Sequence, residues 1–262
     1  LKDNNGMMVN ASTWGLMMTG RVVSIDSSTT ASGFLDRMTK KMGEPMIRAA
    51  MQKAMRIMGH QFVLGETIEE ANRNSQPYRN KGYTYSFDML GEAAITNKDA
   101  EKYFNDYLHA IKSTANIKVK EGMPKPSVSI KLSALHPRYE ATQEAQVFGR
   151  LRQRCLLLIE AAREVNVDLS IDAEEADRLE ISLKLFESLY RDHITAGWDG
   201  LGLVVQGYSK RAIAIFAWLA SLATEVGDRI PLRLVKGAYW DTEIKLAQQK
   251  GLSGYPVWTR KE

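Results

Sequence analysis

After Gly82 the sequence falls into a regular alternation. Short apolar or β-branched runs occur at 83–87, 128–132, 169–171, 201–205 and 232–235. Helical patterns follow at 97–114, 143–165, 175–190 and 210–225, and a last one starts near Asp241. Such alternation predicts a parallel sheet, because parallel neighbours need a long crossover and a helix supplies it. A repeat of about 30 to 45 residues suits a TIM-type (βα)8 barrel of the α/β class. Five units are visible where a closed barrel has eight. The reading is therefore a barrel truncated after about five βα units, with an open sheet as the alternative. No strand leads into a G-x-G-x-x-G turn, and Gly197, Gly200 and Gly202 precede a strand instead of following one. No G-x-x-x-x-G-K-[ST] occurs either, so a nucleotide-binding sheet is disfavoured.

A helical region is expected upstream, over 1–80, with the partial barrel over 81–262. Trp14 to Val23 is apolar, and Asp26 to Thr30 reads as a linker or a set of helix caps. Leu35, Met38, Met42, Ile47, Met51, Met55 and Met58 then recur at helical spacing, broken near Gly43-Glu44-Pro45, and a further helix is expected near 63–74. The methionine stripe is read as core packing in preference to a cofactor box.

Composition narrows the class. Apolar residues make up 44% and charged residues 25%, which excludes a wholly disordered or fibrous chain. Ala212 to Ala223 is too short to span a bilayer. The 35 basic and 31 acidic residues are interleaved, so no stripe for nucleic acid is visible. Cys155 is the only cysteine, which excludes an internal disulfide and a cysteine metal site, and no metal is expected. Leu1 opens no signal pattern, and the sequence stops at Arg260-Lys261-Glu262; both ends are expected to be cuts.

In a parallel barrel the loops at the carboxyl ends of the strands build the site. Each predicted strand end offers a polar group: Asp88, Lys131, Asp172, Gln206, and the pair Arg233/Lys236. One such residue is ordinary, since strands often end polar; five in register point to a pocket. Lys131 or Lys236 could form a Schiff base, grip a carboxylate as a point charge, or simply reach solvent. Asp172 sits at the strand end itself. Glu174, Glu175 and Asp177 need no role beyond favouring a helix start. Arg233, between Leu232 and Leu234, must be paired or face a ligand. Gly237 permits close backbone approach, and Tyr239 and Trp240 supply aromatic walls, as a planar, partly anionic cofactor would require. His136 follows the second strand and could reach the mouth, whereas His60, His109 and His193 read as structural or exposed. Cys155 reads as a buried apolar residue.

Ser86-Phe-Asp-Met-Leu-Gly-Glu92, Ser129-Ile-Lys-Leu-Ser-Ala-Leu-His-Pro-Arg-Tyr139, Ile171-Asp-Ala-Glu-Glu-Ala-Asp-Arg178 and Arg233-Leu-Val-Lys-Gly-Ala-Tyr-Trp-Asp241 resemble the proline dehydrogenase domain of the bacterial proline utilization A family, from about Trp14 to the end of the chain. The resemblance implies FAD-dependent oxidation of L-proline to Δ1-pyrroline-5-carboxylate by hydride transfer from proline C5 to flavin N5. Electrons would pass to ubiquinone from an enzyme that is cytoplasmic and peripheral to the inner membrane. In full-length relatives a pyrroline-5-carboxylate dehydrogenase domain follows. A DNA-binding amino-terminal domain is expected to be absent here, with no nucleic-acid partner for this segment. Carried over, Lys131 holds the proline carboxylate and Tyr239 contacts the substrate. Asp172, Gln206, Arg233, Lys236, Gly237, Ala238, Tyr239 and Trp240 surround the flavin, and Thr259, Arg260 and Lys261 form a further cofactor segment. Arg233 would stabilise charge on the reduced flavin. Glu92 would orient an arginine placed beyond Glu262, among units that complete the barrel and the substrate grip. The chain alone is thus expected to be weakly active or inactive. The other readings are a lysine Schiff-base barrel lyase and an inactive barrel scaffold.

Overall fold

The computed structural model describes residues 44–59 and 61–260. The chain divides into two compact units, Leu1–Leu64 and Gly65–Glu262. In the first, helix α1 (Glu44–Gly59) starts where the break near Pro45 was expected. Proline in a first turn costs no hydrogen bond, because that N–H has no helical acceptor. Trp14 to Val23, Met38, Met42 and His60 lie outside the described residues. Met51, Met55 and Met58 are exposed, which corrects the core reading for that part of the stripe. Methionine's flexible thioether serves surfaces as well as cores.

The second unit opens with α2 (Ile68–Arg79), whose start is set by Thr67: its hydroxyl accepts from the Glu70 N–H. The strands and main helices then alternate as β1 (Ser86–Asp88), α3 (Asn97–Ala115), β2 (Ser127–Ile130), α4 (Leu132–Leu135), α5 (Arg152–Glu164), β3 (Leu169–Ile171), α6 (Leu179–Tyr190), β4 (Leu201–Gln206), α7 (Ala212–Val226), β5 (Leu232–Val235) and α8 (Trp240–Gln249). A helical lead-in over 141–151 precedes α5. All pairings are parallel, in the order β1-β2-β3-β4-β5. Five parallel strands with crossover helices form a curled half-barrel, as the alternation predicts. The helix expected near 63–74 runs instead over Ile68–Arg79, where Thr67 caps it, and two strand boundaries also differ from expectation. Tyr83 to Tyr85 precede β1, because pairing begins at Ser86↔Ser127. Leu132 leaves the sheet to start α4.

Period two explains the core. Val128, Ile130, Leu169, Ile171, Leu203 and Val205 point outward and are buried against the helix layer, with Ile111, Leu158, Ile159, Leu185 and Phe186. The other face carries Ser86, Asp88, Ser129, Ser170 and Gly202, with Val204 beside Arg233 and Val235 beside Gln206. On β5 the outward residues Leu232 and Leu234 are 45% and 60% exposed, so its outer face is uncovered. Helix α3 begins with a capping box: Thr96 accepts from the Asp99 N–H, and Asp99 accepts from the Thr96 N–H.

One electrostatic clamp ties α5 to the loop that follows α6. Arg152 donates to Asp192 Oδ2 at 2.6 Å, and the Ile194 N–H donates to Asp192 Oδ1 at 3.0 Å. Burial alone would raise the Asp192 pKa, but these bonds outweigh it and hold the carboxyl below its ordinary value. The folded pKa is below the unfolded one. This stabilisation is therefore present above the unfolded value of about 4 and lost as pH falls through the folded pKa. Asp192→Asn is expected to cost about 1–2 kcal/mol at pH 7 in urea melts. The gap should close in acid; a gap that stays constant into strong acid would refute the assignment.

Candidate active site

Sheet register assembles the site. Ile130 pairs with Ile171, so the next residues, Lys131 and Asp172, emerge side by side at the carboxyl end of the sheet. Asp88 pairs with Ser129, two residues before Lys131 on the same face. The Lys131 ammonium lies 2.8 and 2.9 Å from the two Asp88 carboxylate oxygens and 3.1 Å from Asp172 Oδ2. Arg233 reaches across the half-barrel. One terminal nitrogen donates to Ser86 Oγ at 3.1 Å and Ser129 Oγ at 2.9 Å, and the other pairs with Asp172 Oδ1. Asp172 is thus held between two cations, with its side chain only 9% exposed.

These neighbours set the protonation preferences. Burial disfavours the Lys131 ammonium, but its hydrogen bonds to Asp88 and the charges of Asp172 and Asp88 outweigh it and raise its pKa. Burial raises the Asp172 carboxyl, opposed by Lys131 and Arg233. Two carboxylates and two cations sum to zero. An anionic ligand entering here needs a further cation to be gripped strongly.

The second half of the mouth is a turn seated on Gln206. Its Oε1 accepts from the Ala238 N–H at 3.1 Å and from the Tyr208 hydroxyl at 2.9 Å, while its Nε2 donates to the Glu174 carbonyl at 2.8 Å. Gly237 has φ +113, and a Cβ there would lie 1.8 Å from the Tyr208 ring. Tyr239 is half-buried, and burial, with Glu92 the next contributor, raises its hydroxyl pKa. Trp240 is partly exposed and its Nε1 donates to the Trp258 carbonyl at 2.8 Å. A cavity of about 40 Å³ behind this turn is lined by Asp172, Glu174, Gln206, Tyr208 and Val257.

Lys131, Asp172, Arg233 and Asp88 therefore form one cluster, and Gln206, Gly237, Ala238, Tyr239 and Trp240 line the mouth beside it. Lys236 is exposed at the end of β5, and Glu92 is exposed in the loop after β1. Thr259 and Arg260 are exposed just past Trp258, and Lys261 lies outside the described residues. His136 is not part of the cluster. It is buried, accepts from the Arg138 N–H through Nδ1, and is held low by burial and by Arg154 and Arg150 of the lead-in and α5. His109 pairs with Glu69 on the surface, and Cys155 is buried with its thiol pushed up to about 12.

Sequence reasoning missed Glu174, which it assigned to a helix start. The side chain is buried, accepts from the Ser133 N–H at 3.0 Å and pairs with Arg178 at 2.9 Å; burial raises its pKa. It also passed over Tyr107, whose hydroxyl accepts from the Lys131 N–H at 3.1 Å, and Tyr208. Ser86 and Ser129 were findable, since each stands two residues before a predicted site residue on a strand of period two.

A parallel half-barrel with paired charges at its carboxyl edge is the architecture in which barrel enzymes place their sites. Residues 71–262 match the family described as Proline dehydrogenase, and the chain belongs to that family. Residues 1–62 match the family described as DNA-binding domain of Proline dehydrogenase, which corrects the expectation that such a domain is absent here. The charge pattern did carry a sign of it: residues 1–62 hold eight basic and four acidic residues, which is the whole net +4 of the chain, while the remainder is balanced. The chain is 51% identical over 259 residues to "Bifunctional protein PutA" of Klebsiella aerogenes, covering 97% of this chain and 20% of the relative. It is 26% identical over 184 residues to "Proline dehydrogenase 1" of Bacillus subtilis, covering 70% of this chain and 53% of the relative. The crystal structure of Bradyrhizobium japonicum Proline Utilization A superposes with a TM-score of 0.71 at 47% identity, covering 86% of this chain and 23% of that one. That of the Bdellovibrio bacteriovorus protein, inactivated by N-propargylglycine, gives 0.77 at 28%, covering 82% and 24%. The chain thus spans about a fifth of the length of the PutA relatives.

Proposed function

We propose that this segment supplies part of the active site of an FAD-dependent proline dehydrogenase, oxidising L-proline to Δ1-pyrroline-5-carboxylate. The observation that carries the reading is the Asp88–Lys131–Asp172–Arg233 cluster at the carboxyl edge of a sheet in this family. The residues present fit a flavin. The Arg233 Nε–H is buried without an acceptor, and Trp240 offers an aromatic wall, while the space beside Gly237 is taken by the Tyr208 ring. Asp172, Gln206, Arg233, Lys236, Gly237, Ala238, Tyr239 and Trp240 would hold it, with Thr259, Arg260 and Lys261 as a further contact. A bound flavin supplies the two-electron acceptor for the hydride leaving proline C5.

The chain's own residues do the rest. Lys131 donates to the proline carboxylate, Tyr239 packs on the substrate, and Arg233 offers positive charge where negative charge develops. Because the cluster is neutral overall, Lys131 alone grips an anion weakly. Glu92 would orient the arginine that completes the grip. Ubiquinone as electron acceptor, a cytoplasmic location at the inner membrane surface and a partner pyrroline-5-carboxylate dehydrogenase domain belong to the same proposal. Among the described residues no helix is long and apolar enough to cross a membrane. Division into a helical region, 1–80, and a partial barrel, 81–262, is likewise proposed.

The Schiff-base reading is disfavoured for Lys131. A nucleophilic amine needs a depressed pKa, and its two carboxylate partners act in the opposite sense. The test is to fuse this chain to the remaining part of the Klebsiella aerogenes relative and add proline anaerobically to the purified protein. Bleaching of a flavin absorption band is expected, and Lys131→Met should raise KM for proline by about tenfold or more. A flavin-loaded fusion that proline leaves oxidised would overturn the reading.

A further inference from the structure

We propose that Tyr208 is a positioning residue for the cofactor side of the mouth, its hydroxyl setting the Gln206 amide and its ring seating the Gly237–Ala238 turn. The inference rests on the flavin reading above. A glutamine amide can sit either way round, and its neighbours decide. Here Oε1 faces two donors, the Tyr208 hydroxyl at 2.9 Å and the Ala238 N–H at 3.1 Å, while Nε2 faces the Glu174 carbonyl at 2.8 Å. Tyr208 is itself tied at both backbone groups. Its N–H donates to the Lys236 carbonyl at 3.2 Å, and its carbonyl accepts from the Trp258 N–H at 2.8 Å.

One residue therefore joins the loop after β4, the turn after β5 and the tail that carries Trp258. The antiparallel bridge Ser209↔Val257 and the stacking of Lys210 over the Trp258 ring extend the same seam. The turn cannot settle onto this ring unless position 237 lacks a side chain, since an added Cβ would meet ring carbons at 1.8 and 2.1 Å. Burial pushes the Tyr208 hydroxyl up to about 12, so it remains a proton donor across the physiological range. The hydroxyl gives this proton to Gln206, and its oxygen also faces the Tyr239 backbone N–H of the same turn.

The test uses the same fusion and reads FAD affinity by quenching of flavin fluorescence. Tyr208→Phe keeps the ring and removes the hydroxyl. It is expected to raise the FAD Kd about tenfold, with KM for proline within about twofold. The melting temperature of the flavin-free protein should stay within about 2 °C. Gln206→Ala should raise Kd by a similar factor, and adding Tyr208→Phe to it should raise Kd by well under the single-variant factor, because the hydroxyl then keeps only the Tyr239 N–H to hold. An unchanged Kd in Tyr208→Phe, or a full multiplication of the two effects in the double variant, would overturn the proposal. So would a large fall in melting temperature repeated in both backgrounds, which would assign the hydroxyl to general stability. An unsubstituted fusion that binds no flavin overturns the cofactor reading and this inference with it, a pattern distinct from any variant effect.

Discussion

Asp172→Ala is expected to produce the largest loss of function in the cluster. The carboxylate is the group shared by Lys131 and Arg233, and it is nearly buried. Removing it leaves two cations facing each other across the mouth. Lys131 keeps Asp88 as a partner, whereas Arg233 keeps only two serine hydroxyls. Breaking one partner out of a buried ion pair costs about 3–5 kcal/mol. The part-exposure of Arg233 and the surviving Asp88 reduce this to about 3 kcal/mol or slightly less. Urea melts would measure it. Turnover of proline in the fusion should fall at least about a hundredfold, since the Arg233 guanidinium loses the contact that aims it. Asp172→Asn preserves shape but not charge. If the role is electrostatic, Asn behaves nearly as Ala in turnover. Near-normal turnover in Asn would show that shape and hydrogen bonding suffice, and that the pairing of Asp172 with Lys131 and Arg233 is incidental to turnover.

Gly237→Ala is expected to give the second large effect, and it has an internal control. At φ +113 a side chain is strained, at a cost of about 1–3 kcal/mol. The added Cβ also strikes the Tyr208 ring, which is held at both of its backbone groups and at its hydroxyl. Overpacking of this kind costs a further amount of about 1–3 kcal/mol. Gly227 supplies the comparison. It ends α7 in a left-handed conformation, φ +76, with open space where its Cβ would be. Gly227→Ala should therefore cost about 1 kcal/mol, the conformational part alone. Calorimetric or urea melts of the two variants should differ clearly, with Gly237→Ala the less stable and the weaker in flavin affinity. Equal losses would mean that the Tyr208 contact contributes nothing.

Much of the candidate cluster's placement was legible because barrel strands obey a short period. Asp88, Lys131, Asp172 and Gln206 each stand at a strand end, and register brings the first three together. Arg233 between two leucines announced a charged side chain on an apolar strand. What could not be read was the set of partners. Ser86 and Arg233 are 147 residues apart in sequence, and their contact exists because the sheet curls until β5 faces β1 across its concave side. Glu174 looked like an ordinary acidic helix start, since sequence does not show that the backbone turn buries it against Ser133. Tyr208 carried no motif at all. Its importance comes from Gly237, far along the chain, folding onto its ring.

The alternation of strand and helix, the parallel sheet that follows from it, and the residues standing at the carboxyl edge are all written along the chain. These are local consequences of periodicity, cap residues and the short reach of a crossover helix. Which charges neutralise each other, which acid is buried, and which glycine must stay bare are settled in three dimensions. Those depend on distances between strands and loops far apart in the chain, which are set by packing of the whole sheet and have no signature in any one segment.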